Sequence, residues 1–272
     1  MRKFSVLMCV YYKEKPEYLS QALESIWDIQ ILKPTEIVLV EDGILTTDLY
    51  LVIKEWKEKL QDKLIIVSLE KNVGLGKAKN IGLKYCQYDY VAMMDSDDIS
   101  LPERFLKQME YIENNQNIAI LGGQIIEFEE NKQNKKIVPI NYQEIYTKCV
   151  IRNPFNHMTV VIHKDTIINC GGYQHHLYME DYNLWLRVIA AGYKCVNLSE
   201  VLVNVRAGNA MLSRRRGLEY IKSEFQLAKL KYSLKLQSLY LTSFYFLLRM
   251  IPRLLPIWCL GKIYKFIRHK LR

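Results

Sequence analysis

Short apolar runs recur through the first half of the chain, each ended by polar residues. They lie at Phe4–Tyr11, Glu36–Val40, Leu64–Ser68, Tyr90–Met94 and Ile118–Gly122. Runs of this length read as buried strands. Between them the apolar period lengthens. Pro16-Glu17 opens a helix whose apolar face is Leu19, Ala22, Leu23 and Ile26, and further helices run from about Thr47 to Leu60 and from about Gly74 to Cys86. Strands alternating with helices imply a parallel sheet with right-handed crossovers. Glu127–Lys136 is polar and charged, which predicts an exposed hairpin or loop. The segment to about Asn209 mixes short strands (Thr159–His163, Cys195–Asn197, Val201–Val205) with a helix from Glu180 to Ala191. No internal repeat is present.

The end of the chain follows a different pattern. Arg214–Lys235 reads as a basic helix, residues 239–248 are apolar and aromatic, and Arg249, Pro252, Arg253 and Pro256 follow. Ile257–Leu260 and the basic stretch Lys262–Lys270 come last. No run reaches the roughly 18 uncharged apolar residues of a spanning helix. Basic residues interleaved with aromatics match an amphipathic segment lying on anionic lipid, broken in two by the prolines. The alternative is a helix packed on the protein's own core or on a second copy.

Charge sharpens this division. Residues 213–272 carry 14 Lys and Arg against two acids, Glu219 and Glu224, whereas residues 1–212 carry 24 basic and 27 acidic residues. A mildly acidic body with a strongly basic tail points to nucleic acid or an anionic membrane surface, and the acidic body argues against nucleic acid. The expected division is therefore 1–212 as the mildly acidic body and 213–272 as the basic tail. The six cysteines (Cys9, Cys86, Cys149, Cys170, Cys195, Cys259) are scattered without a CxxC pair, as in a reduced cytoplasmic protein. The first apolar run is brief and Lys13-Glu14-Lys15 follows it, so it reads as a strand rather than a signal sequence.

The densest chemistry lies in Tyr90-Val91-Ala92-Met93-Met94-Asp95-Ser96-Asp97-Asp98. A buried strand ends in three acids within four positions, at the edge where open α/β sheets place their ligands. Crowded carboxylates repel unless a cation is present, and hard oxygen donors suit Mg²⁺ or Mn²⁺ completed by a diphosphate. Helix capping by Ser100, ahead of Leu101-Pro102-Glu103, accounts for Ser100 and Asp98 but not for Asp95 and Asp97. Glu36–Val40 leads into Glu41-Asp42-Gly43, where an acid could meet a base or ribose, although Asp-Gly is also an ordinary turn. Lys71-Asn72-Val73-Gly74-Leu75-Gly76-Lys77-Ala78-Lys79-Asn80 is neither a P-loop nor a dinucleotide fingerprint, yet its glycines open a helix that could present amides to a nucleotide. Glu180-Asp181 starts a helix, where two acids serve either as dipole partners or as a general base at the sheet's mouth. His157 is isolated, His175-His176 lies on a Gly-Gly-Tyr turn that reads as solvent-facing, and no histidine has metal-triad spacing.

In this order the pieces resemble the family-2, inverting, GT-A-fold glycosyltransferases, over about residues 4 to 210. The resemblance implies a Rossmann-like α/β fold, a mixed, mainly parallel sheet flanked by helices, with a C-terminal helical, membrane-associated tail. It implies Asp42 on the uracil or ribose, Gly74 and Lys79 lining the nucleotide pocket, and Asp95 near the ribose. Asp97, with Asp95, would hold Mn²⁺ or Mg²⁺ on the donor diphosphate. Asp181 would be the catalytic base, with Glu180 holding the acceptor or orienting the base. Tyr11, Glu14, Asn80, His157 and Arg206 complete the implied substrate-binding set, and the basic segment Arg206–Arg216 could engage a diphosphate. Val205–Met211 and Arg214–Gly217 look like the subgroup that builds bacterial surface-polysaccharide repeats. The implied reaction adds one hexose, Glc or Gal in β linkage, from a UDP-sugar to a polyprenyl-diphosphate-linked saccharide, on the inner face of the cytoplasmic membrane. Two departures stand out. Cys9, Tyr11 and Tyr12 replace the family's Pro-x-Tyr-Asn turn, and no Gln-x-x-Arg-Trp follows Glu180-Asp181, which implies single addition rather than processive synthesis. Alternatives are a non-catalytic, membrane-bound scaffold that binds nucleotide-sugars and an enzyme acting on another acceptor.

Overall fold

A computed structural model describes residues 1–129, 132–206 and 217–254. The first four strands are β1 (Ser5–Val10), β2 (Glu36–Glu41), β3 (Leu64–Ser68) and β4 (Tyr90–Asp95). Three helices connect them: α1 (Pro16–Trp27), α2 (Thr47–Leu60) and α3 (Leu75–Tyr85). Pro16 sits in the first turn of α1, where its missing N–H costs nothing. Thr46 caps α2 by accepting from the Leu49 amide at 3.3 Å. The short β5 (Ile99–Ser100) precedes α4 (Arg104–Asn114). Then come β6 (Ile118–Glu129), β7 (Lys132–Lys136), α5 (Tyr142–Lys148), β8 (Val161–His163), α6 (Lys164–Asn169), α7 (Glu180–Ala190) and β9 (Lys194–Arg206). Helices α8 (Gly217–Ser233) and α9 (Leu239–Leu254) close the described chain.

The strands form a single nine-stranded sheet in the order β3-β2-β1-β4-β8-β6-β9-β5, with β7 on β6. Strands β1 to β4 are parallel, β8 runs antiparallel between β4 and β6, and β6 and β9 are again parallel to each other. One sheet edge therefore collects the carboxyl ends of β1, β2, β4, β6 and β9, and the start of β8. Both faces are covered. Phe4, Val6, Met8 and Val10 join one core with α1, α2 and α4, while Leu7 and Cys9 join the other with α3 and α7. Two covered faces explain why these strands read as unbroken apolar runs.

The element pattern agrees with the sequence expectations, with three corrections. Ser100 does not cap a helix: it lies in β5, which pairs with β9, and α4 starts at Arg104. The strands expected at Cys195–Asn197 and Val201–Val205 are one irregular strand, because β6 gives it a continuous partner. As expected, the charged stretch from Glu127 pairs as an antiparallel hairpin, β6 against β7. Helix α9 continues through Pro252, which falls in its last turn, so that proline does not split the segment. Pro256, Cys259, Arg214–Arg216 and the basic stretch 262–270 lie outside the described residues. Among the described residues no helix is long and apolar enough to cross a membrane. Helix α8 lays Tyr220 and Leu227 into the same core cluster as Trp185, and α9 stands on α8 through a Phe225–Phe246 edge contact of 5.8 Å.

Candidate active site

The carboxyl edge of the sheet gathers most of the expected residues. After β2, Asp42 is buried and accepts from the amides of Val73 (2.7 Å) and Gly74 (3.2 Å). The chain can come this close because Gly43 has φ +90°, and a Cβ there would lie 2.6 Å from the Asn72 nitrogen. Gly74, at φ +88°, then starts α3. Asp42 thus shapes the loop in front of α3. The first turn of α3 faces the start of α7: a Cβ on Gly76 would fall 3.4 Å from both Glu180 Cγ and Tyr173 Cβ.

Lys79, one turn on, is buried and sits 3.7 Å from the Asp95 carboxylate. Its Nζ also lies 3.1 and 3.2 Å from the two ring nitrogens of His157. His157 in turn approaches Asp95 at 3.7 Å, shares a 2.9 Å hydrogen bond with the Tyr173 hydroxyl, and stacks on Trp185 at 6.0 Å. Asn80 clasps the Tyr173 backbone at both ends, donating to its carbonyl (2.7 Å) and accepting from its amide (2.8 Å). Asn80 therefore holds Tyr173 in place.

The acids after β4 are not equivalent. Burial pushes Asp95 up, but Lys79 and then His157 outweigh burial and hold its carboxyl well below the usual range. For Asp97 the balance runs the other way: burial, Asp95 and Glu14 outweigh Arg206 and push it up to about 6. Asp98 is pushed to about 9 by burial and by its two acidic neighbours, and it accepts from the Arg206 amide at 3.0 Å. Glu14 accepts from Ser96 Oγ at 2.6 Å, which places its carboxylate beside Asp97. The Arg206 guanidinium lies over Tyr18 at 4.1 Å and Phe128 at 5.2 Å and donates to Gln21, so it braces α1 against the hairpin. Tyr11 is exposed at the end of β1.

At the start of α7, Asp181 accepts from Asn153 Nδ2 at 2.8 Å and from the Tyr182 amide at 2.7 Å. Burial pushes Glu180 above the usual carboxylate range. Tyr173 links the two acidic groups: buried and kept in its phenol form, it feels the charges of Asp181, Asp95 and Glu180. His176 corrects an expectation. It is fully buried, bonded to the Ser223 carbonyl (2.9 Å) and Asn183 (3.1 Å), because α8 covers the turn that carries it.

Sequence reasoning missed Asn153, Tyr173 and Arg104. Asn153 and Tyr173 sit on loops without periodicity, and only the Asn-Pro and Gly-Gly-Tyr turn signals marked their neighbourhoods. Arg104 lies on the buried side of α4, donating to the Met93 carbonyl at 2.7 Å beneath the acid cluster. Burial lowers it to about 9 while Asp95 and Asp98 oppose that shift. The described cysteines are free, and burial pushes Cys9 up to about 12, so it is no nucleophile.

Two groups of acids thus lie within electrostatic reach of Tyr173, one at a strand end and one at a helix start. The family model for glycosyl transferase family 2 matches residues 5–176. The chain belongs to glycosyl transferase family 2. It is 48% identical over 268 residues to an amylovoran biosynthesis glycosyltransferase of Erwinia amylovora, covering 98% of both chains. It is 37% identical over 269 residues to an Escherichia coli UDP-Gal:alpha-D-GlcNAc-diphosphoundecaprenol beta-1,3-galactosyltransferase, covering 97% of this chain and 95% of that one. Among solved structures, S. aureus TarS in complex with UDP-GlcNAc superposes with a TM-score of 0.65 at 22% identity, over 93% of this chain and 72% of that one. A mannosyltransferase of Pyrobaculum calidifontis in complex with GDP-Man and Mn2+ gives 0.63 at 13% identity, over 99% of this chain and 81% of that one. The fold is therefore GT-A, and the protein is a glycosyltransferase.

Proposed function

We propose that this glycosyltransferase adds one hexose, Glc or Gal, with inversion, from a UDP-sugar to a lipid-diphosphate-linked saccharide during surface-polysaccharide synthesis. The observation that carries the reading is the separation of the two acid groups by environment. The strand-end acids are crowded and undercompensated, whereas Asp181 is held by one hydrogen bond on each oxygen and keeps lone pairs free. A carboxylate so oriented can take the acceptor hydroxyl proton as the oxygen attacks the anomeric carbon. Glu180 beside it, its proton favoured by burial, would hold an acceptor oxygen. Lys79 would bring positive charge to the nucleotide side.

The donor set at the strand end is all carboxylate oxygen, and Asp97, crowded by Asp95 and Glu14, suits a hard divalent cation. Among the described residues no group of three or more acids, histidines or cysteines is placed to hold a metal unaided. Asp97, supported by Asp95, would therefore share Mn²⁺ or Mg²⁺ with the donor's diphosphate oxygens. Once bound there, such an ion neutralises charge on the departing diphosphate.

The galactosyltransferase relative supports the acceptor class, since its name pairs UDP-Gal with GlcNAc-diphosphoundecaprenol. The outer face of α9, with Leu239, Tyr240, Phe244, Leu247 and Leu248 exposed, suits docking on an anionic bilayer together with the chain's basic end. The deciding test is a donor screen against a synthetic GlcNAc-diphosphate-lipid, with the product linkage read by NMR. Turnover of UDP-Glc or UDP-Gal to a β-linked disaccharide is expected. Transfer with retention, or none with any UDP-hexose, would remove the reading.

A further inference from the structure

Three consecutive backbone carbonyls, those of Cys149, Val150 and Ile151, are each gripped by a different helix. The Tyr182 hydroxyl on α7 donates to Cys149 at 2.5 Å, Lys231 Nζ on α8 to Val150 at 2.7 Å, and Arg249 Nη1 on α9 to Ile151 at 2.8 Å. The remaining fork of Arg249 closes on the buried Glu224 of α8, at 2.6 and 2.9 Å. The three donors are also neighbours. Lys231 Nζ lies 5.0 Å and the Arg249 guanidinium 6.0 Å from the Tyr182 ring. Two residues beyond Ile151 stands Asn153, whose side-chain Nδ2 donates to Asp181 and whose Oδ1 accepts from the Phe155 amide at 3.2 Å.

The geometry points to Arg249 as a positioning residue for Asp181: by fixing the Ile151 carbonyl, the C-terminal helices hold the turn that aims Asn153 at the base. The inference rests on the reading of Asp181 as the general base. Nothing in a surface role of the last helices calls for a guanidinium that bonds a loop carbonyl two residues from an active-site ligand. A guanidinium suits the task because it forks, serving Glu224 and Ile151 together, and an ammonium does not. A carboxylate tilted by a few tenths of an ångström still binds substrate but loses the attack geometry, so the loss falls on turnover.

The test uses the full chain with the synthetic GlcNAc-diphosphate-lipid and whichever of UDP-Glc or UDP-Gal the wild type turns over. Arg249→Lys keeps the charge opposite Glu224 and removes the fork. It should keep most of the melting temperature and the KM for the UDP-sugar while lowering kcat about tenfold. Asn153→Ala should lower kcat at least as much, and the double variant should be no slower than Asn153→Ala alone, since both act through one bond. Amide exchange over residues 152–156 should speed up in Arg249→Lys. Where Arg249→Lys melts, Glu224→Gln with Arg249→Gln replaces the ion pair by a neutral one and carries the same comparison. Unchanged kcat in a folded Arg249→Lys, or effects that multiply with Asn153→Ala, would overturn the inference. Asp181→Asn is run alongside. If it stays active, the base assignment itself has fallen; if it is dead and Arg249→Lys is not, only the positioning role has.

Discussion

The acids after β4 and the acids that open α7 have similar composition and opposite surroundings. Asp95, Asp97 and Asp98 crowd one strand end. There a cation network holds Asp95 low, and Asp97 and Asp98 are driven up to about 6 and about 9. Asp181 meets hydrogen-bond donors, Asn153 and its neighbour's amide. The first arrangement stores repulsion of the kind a divalent cation would relieve. The second aims a carboxylate with one donor on each oxygen, the orientation that proton abstraction would require. In the proposed mechanism one motif would hold the cation that offsets charge on the leaving group, and the other would supply the base.

The comparison breaks hardest at Asp97. Asp97→Ala should abolish transfer, and EDTA should silence the wild type until Mn²⁺ or Mg²⁺ returns. Full activity in EDTA would remove the cation from the account. Asp181→Asn comes next: the shape survives but the proton acceptor does not, so turnover should fall on the order of 10² or more, with UDP-sugar affinity little changed. Should affinity collapse while turnover survives, Asp181 belongs with the nucleotide side and the contrast between the two sites disappears.

Lys79→Met sharpens the contrast from the other direction. Asp95 loses its nearby ammonium, so UDP-sugar binding should weaken about tenfold, measured by calorimetry, while turnover at saturation falls less. An equal loss in both quantities would place Lys79 in the chemical step.

The smallest effect concerns Lys231, behind the α7 site. Burial first, then Arg249, lowers its pKa to about 7 from the ordinary lysine value of 10.5. A lysine with a depressed folded pKa contributes stability that is present above pH 10.5 and lost as pH falls toward 7. The wild type's melting temperature should therefore gain from this group between pH 7 and pH 10, and Lys231→Met should flatten that slope. An identical slope in both proteins would show that Lys231 titrates as an ordinary surface lysine.

Much of the edge was legible because its signals are local. Asp95 and Asp97 follow an unbroken apolar run, Asp42 precedes a glycine, and Glu180-Asp181 opens an amphipathic helix. Lys79 was marked as lining the nucleotide pocket, but its partners were not legible. Asp95 comes 16 residues later in the sequence and His157 comes 78 residues later. Asn153 reaches Asp181 across 28 residues and was invisible, since a lone Asn before a proline looks like any turn. His176 was misplaced because its cover is a helix more than 40 residues downstream.

The sequence alone determined where most of the strands and helices lie, because side-chain periods of two and 3.6 residues report the faces each element must bury. It also determined which strand and helix ends carry acid. The tertiary structure alone decided which of those acids has a cation beside it, that β8 enters antiparallel between β4 and β6, and that α8 and α9 hold the turn behind Asp181. Such choices rest on contacts between residues far apart in the chain. A carboxylate's protonation and aim depend on the charges and donors folding brings within a few ångströms, and local periodicity carries no record of them.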